Sequence, residues 1–233
     1  MASAGSRVMI AARIGIYIAL LIAILGVPVW VQLNGGDLRL LVESVMAPTL
    51  GTSEFSLLEQ MQLLILVFVA MLCLLSARAQ NDHPALAIFL FAVALTALIR
   101  ELDLFLDVYL IDHAWQVMVA LLVAATITYC LRRRRSLRIA WVRYKPQTPL
   151  MLMAIALAVL LVAASIIGHT PFWQSLLGDN YNRVAKIAAE EMIELIGYWL
   201  WLIGAIEYFY RGLAYRRTHG ASERRNENRR KLK

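Results

Sequence analysis

Two short stretches of the chain concentrate carboxylates. One holds Glu101, Asp103, Asp107 and Asp112, followed at once by His113. The other holds Glu190, Glu191 and Glu194. Grouped carboxylates suit hard cations such as calcium, magnesium or manganese. An adjacent histidine adds a transition-metal ligand or a titrating group. Crowded carboxylates in general also favour proton uptake, because like charges oppose ionisation. The candidate ion site is therefore Glu101, Asp103, Asp107, His113, Glu190, Glu191 and Glu194, with a divalent cation as the candidate cofactor. A plainer reading uses the same residues. Arg100 bonds Asp103 or Glu194, Arg183 and Lys186 pair with the nearby glutamates, and the rest meet water.

Helix geometry sorts these side chains. At about 100° per residue, Glu190, Glu194, Gly197, Trp201 and Gly204 form one stripe. Glycines on such a stripe let a neighbouring backbone come close, so the stripe is expected to face another helix. If residues 100–112 are helical, Arg100, Asp103 and Asp107 share one face, and Glu101 and Asp112 share another. The path of 100–112 is open: the helix either continues past the membrane or turns back along its surface.

The elements that must position these residues are apolar blocks. Of the 233 residues, 61% are hydrophobic, and the mean hydropathy is +0.65. Soluble domains are usually ~45–50% apolar. The excess falls in blocks of the length that crosses a hydrocarbon core of ~30 Å. Backbone groups there must bond within their own segment, so the blocks are expected to be helices. The expected fold class is an all-α integral membrane protein, a bundle of about six transmembrane helices with short loops. The spans fall at 9–31, 57–77, 84–100, 113–131, 149–168 and 190–211, within one domain over 1–212. Residues 213–233 are expected to be a disordered basic tail.

Local signals support these boundaries. The first block is long for a signal-peptide core and no A-x-A site follows it, so it is expected to be a retained anchor. Leu38, Leu40, Leu41, Val42 and Val45 suggest a short interfacial helix. Ser56 and Glu59 form a capping box before the second span. Thr170-Pro171 looks like an N-cap and first-turn pair opening a short helix. The last helix is free to start early, near Asn182, because no breaker stands between Val184 and Met192.

Charge then orients the bundle. With six spans and the N-terminus in the cytoplasm, 19 of the 23 basic residues fall inside. Lys and Arg prefer cytoplasmic loops, so a bacterial inner-membrane protein with both termini cytoplasmic is expected. The inner side sums to +15 and the outer side to −8. The outer acid excess is gathered around spans three, four and six, and orientation does not require it.

The partners expected are membrane lipids, with anionic headgroups at Arg132–Arg135 and along the basic tail. A second copy or another membrane protein is open as a further partner. No recognisable nucleic-acid fold accompanies the basic runs, so nucleic acid is not expected. Cys73 and Cys130 lie in apolar blocks and read as small fillers. His83, His169 and His219 are scattered. The span interiors lack midplane charges, where transporters usually place their sites. They carry only Thr96, Thr126, Thr128, Ser165 and Tyr198 as mild polar residues. No H-E-x-x-H, G-x-S-x-G or Gly-rich phosphate loop occurs.

Two functions stay open. One is a non-enzymatic transporter subunit, sensor or assembly factor that binds a cation or proton at an acidic outer mouth. The other is a membrane-embedded metal-dependent enzyme acting on a lipid or periplasmic substrate.

Overall fold

The computed structural model describes residues 4–34, 57–79, 83–144 and 147–231. The expected interfacial helix at 38–45 and the Ser56 half of the capping box lie outside the described residues. Among the described residues there is no strand. The elements are α1 (Ala4–Leu33), α2 (Leu57–Ala79), α3 (Ala85–Glu101), α4 (Asp103–Tyr109), α5 (Ala114–Arg132) and α6 (Arg134–Tyr144). Next come α7 (Thr148–Ala158), a π-helical stretch (Val159–Ala163) and α8 (Ala164–Ile167), which together make one apolar rod. The chain continues with α9 (Thr170–Leu177), a 3₁₀ turn (Gly178–Asn180) and α10 (Arg183–Lys231).

Five of these helical stretches are long and apolar enough to cross a membrane: Ala12–Val31, Leu57–Ala79, Ala114–Arg132, Thr148–Ile167 and Ala185–Arg216. They match five of the six expected spans. The sixth, α3, has 17 residues. At 1.5 Å per residue it reaches about 26 Å, short of a hydrocarbon core. α3 is also well packed, with Ala85, Leu86, Ala87, Leu90, Ala92, Ala94 and Ile99 buried. By contrast α5 buries no residue, and α1 leaves Ile14, Ile16, Ile18, Ile22 and Trp30 more than half exposed. Apolar faces of this extent are unfavourable in water and suit acyl chains.

Hydroxyls inside the apolar helices bond to their own helix. Ser76, Thr96, Thr126, Thr128 and Ser165 each donate to the carbonyl four residues earlier, at 2.7–2.9 Å. This is how a polar side chain is satisfied without water or a neighbour, and it accounts for the mild polar residues of the spans.

The segment 100–112 is interrupted. Leu102 leaves helical geometry at φ −98°, ψ 12°, and α4 starts afresh at Asp103. Its Asp103 and Asp107 still lie one turn apart. His113 then takes the left-handed conformation, φ 64°, and opens α5. α9 begins at Thr170 with Pro171 in its first turn, one residue earlier than the expected cap placed it. α10 starts at Arg183, as the lack of breakers suggests, and stays helical through Lys231. Residues 213–231 are assigned to that helix.

Where one domain was expected, packing groups the chain into two compact units, Met1–Gln62 with Ala158–Trp199, and Leu63–Leu157 with Leu200–Lys233. α2 and α10 each contribute to both. In the first unit, a Cβ on Gly197 would stand 2.7 Å from Leu160 Cγ, in the π-helical stretch. In the second, a Cβ on Gly204 would stand 2.8 Å from Met153 Cγ and 3.1 Å from the Pro149 carbonyl oxygen. The glycine stripe thus meets the 148–167 rod in each unit, as its spacing implies. Elsewhere in the second unit, Tyr144 packs on Tyr208 with ring centroids 4.8 Å apart. Arg143 covers the Tyr215 ring at 4.1 Å, and Arg211 donates to Gln147 at 2.9 Å. Burial pushes the Tyr144 phenol above its ordinary range, with Arg143 partly opposing it.

The two glycines should respond differently to an added methyl. Gly204→Ala meets backbone and should lose about 1–3 kcal/mol, the usual cost of overpacking. Gly197→Ala meets a movable leucine side chain and should stay within about 1 kcal/mol of the wild type, helped by alanine's helix propensity. Equal thermal shifts in the two purified variants would contradict this packing.

Candidate functional site

The two acidic groups fall in different units. In the second unit Glu101 ends α3, Asp103 and Asp107 lie one turn apart on α4, and Asp112 and His113 are exposed in the turn before α5. Glu101 and Asp103 are half-buried and make interactions of their own. Asp107 is also half-buried, and its Oδ1 is shielded from water with no hydrogen-bond partner among the described residues. His113 contributes through its backbone, in the left-handed turn. Such a φ is uncommon for a residue with a side chain.

In the first unit Glu190, Glu191 and Glu194 follow one another along α10, all half-buried. Glu190 Oε2 pairs with Lys186 Nζ at 2.9 Å, as the plainer reading of the sequence anticipates. An i,i+4 pair of this kind stabilises a helix by about 0.3–0.5 kcal/mol. The Glu190 carboxylate also lies against Gly168, where any Cβ would collide with it. Glu191 and Glu194 are engaged in interactions too.

One residue here escaped the sequence reading. Gln62, on α2, is completely buried. Its Nε2 donates to the backbone carbonyl of Glu191 at 3.1 Å, so it ties α2 to α10 inside the first unit. Its Oε1 is shielded from water and has no partner among the described residues. The hydroxyls of the apolar helices satisfy themselves within one helix; Gln62 reaches across to another. The signal in the sequence was faint: two glutamines, Gln60 and Gln62, near the start of an apolar block.

The chemistry of this seat is that of an acceptor. An amide oxygen can take a proton donor or a cation. Within each unit, the described residues contain no group of three or more His, Cys, Asp or Glu side chains placed to hold a metal ion. No protein-family model, curated protein or solved structure matches the chain. The functional reading therefore rests on its own residues.

Replacing Gln62 separates its two atoms. Gln62→Leu removes one hydrogen bond, worth about 1 kcal/mol, but also removes an unpaired buried oxygen of similar cost. The variant should unfold within about 1 kcal/mol of the wild type in a thermal or denaturant assay. A loss above about 3 kcal/mol would mean that Oε1 is already satisfied in the folded protein.

Proposed function

We propose that this chain is a six-span bacterial inner-membrane protein, both termini cytoplasmic, that binds a proton or a cation near its outer rim without catalysing a reaction. In this reading α3 and α4 together serve as the third span and its exit. The seat is Gln62 on α2 with the Glu190, Glu191 and Glu194 segment of α10. One observation carries the proposal: a fully buried side chain that bridges two helices while its own acceptor oxygen has no partner among the described residues. An unmet buried acceptor costs about 1–3 kcal/mol. A cation or a carboxyl proton arriving at the seat relieves that cost, and this supplies the driving force for binding. The acidic residues of α4 and the turn before α5 form a second, shallower group, and Asp107 is its least satisfied member.

Orientation follows from the basic residues, and it has a direct test. Reporter fusions at Arg135 and at Lys233 should both read cytoplasmic; a periplasmic signal at either would overturn the six-span arrangement.

Binding is tested by stability. A ligand that prefers the folded state raises its stability by about 2.7 kcal/mol at one hundred times its dissociation constant. The purified protein should gain melting temperature with sodium, calcium or manganese, or on acidification. Gln62→Leu and the pair Glu191→Gln/Glu194→Gln should abolish that gain. A wild type indifferent to every cation and to pH would rule the seat out, as would an undiminished response in both variants.

A further inference from the structure

α6 differs from the other helices. Its sequence, Arg134 to Tyr144, carries Arg134, Arg135, Arg138 and Arg143 beside Leu137, Ile139, Trp141 and Val142. It starts one residue after α5 ends at Arg132. A basic amphipathic helix joined to the end of an apolar span suits the interface between headgroups and acyl chains. Tyr144 and Arg143 hold its far end against α10.

A cavity of about 400 Å³ opens between α6, the start of α3 and the end of α5. Leu86, Phe89, Leu137 and Trp141 supply apolar walls, and the aliphatic stems of Arg134 and Arg138 extend them, as long basic side chains do when they carry their charge to the edge of an apolar surface. Residues 134, 137, 138 and 141 follow helical spacing, so the two guanidinium groups and the two apolar side chains share one side of α6. Arg134 and Arg138 are exposed and form no ion pair among the described residues. The sequence holds no carboxylate at all between Asp112 and Asp179, so this stretch carries no acid of its own to neutralise them.

We infer that this cavity is a specific site for one anionic glycerophospholipid. Arg134 and Arg138 hold the phosphodiester, and an acyl chain lies along Leu86, Phe89, Leu137 and Trp141. Guanidinium forks match phosphate oxygens in geometry as well as charge. Apolar walls alone would accept any acyl chain, and arginines alone would attract any anion. Their meeting at the end of an apolar span selects a molecule that has both parts. An anionic headgroup is preferred over a zwitterionic one because no carboxylate lines the cavity to receive a choline or ethanolamine cation. The inference depends on α5 lying in a membrane, but not on the Gln62 seat.

The test uses the full-length protein in detergent, titrated with dioleoylphosphatidylglycerol or dioleoylphosphatidylcholine and followed by thermal shift and native mass spectrometry. Phosphatidylglycerol should be retained and should raise the melting temperature, and phosphatidylcholine should do so far less. Arg134→Gln/Arg138→Gln should weaken phosphatidylglycerol by about tenfold or more, and Arg132→Gln/Arg133→Gln, with the same charge change, by less than about twofold. Gln62→Leu should leave lipid binding unchanged, which separates this site from the outer seat. Equal losses in the two arginine pairs would reduce the effect to diffuse surface charge and overturn the proposal. Equal retention of both lipids would overturn it too, and so would full competition by inorganic phosphate, which would mark a free-anion site. If the glutamine pair does not fold, Arg134→Lys/Arg138→Lys keeps the charge and loses the fork. Lipid selectivity undiminished in that variant would count against the proposed geometry.

Discussion

A backbone amide in hydrocarbon has no water to turn to, and five helical stretches of this chain are long and apolar enough to face that constraint. It explains why the described residues are helical and why the long apolar blocks emerge as unbroken rods. It also explains the hydroxyls. Five serine and threonine side chains fold back on their own helices, donating to the carbonyl four residues earlier. In such a setting a polar side chain that does leave its own helix is informative. Gln62 does so, and its Oε1 has no partner among the described residues.

Helix pairing in lipid has no hydrophobic drive of its own, so it depends on close fit. Gly197 and Gly204 provide that fit where α10 meets the 148–167 rod. The rod responds with a π-helical stretch at Val159–Ala163, and Leu160 of that stretch is the side chain nearest Gly197. π-helical turns recur at functional sites, and this one belongs to the same unit as the Gln62 seat. Gly168, a few residues on, gives room to the Glu190 carboxylate. Small residues therefore do more than pack here, since they allow charged groups to sit against backbone.

The two proposed sites use opposite chemistry. The seat proposed at Gln62 offers an acceptor oxygen without a partner among the described residues. The cavity proposed to take a phospholipid is apolar, and Arg134 and Arg138, which line it, are exposed. Neither needs a charge at the membrane centre, which accords with span interiors free of ionisable residues.

Spans, their helical character and the facing of the glycine stripe were readable from residue order alone, because hydropathy and helical spacing are local properties. The early start of α10 near Asn182 was readable for the same reason. The break at Leu102 was not, since nothing in Arg100-Glu101-Leu102-Asp103 forbids a helix. The helical course of 213–231 was not readable either, because polar composition alone does not separate a solvated helix from coil. Gln62 was hidden most deeply. A glutamine near the start of an apolar block is ordinarily interfacial, and only the packing of α2 on α10 removes it from solvent. The sequence by itself determined which segments are apolar rods and where basic and acidic charge collects. The tertiary structure alone decided which polar atoms lose water without gaining a partner, because that depends on neighbours far away in the chain.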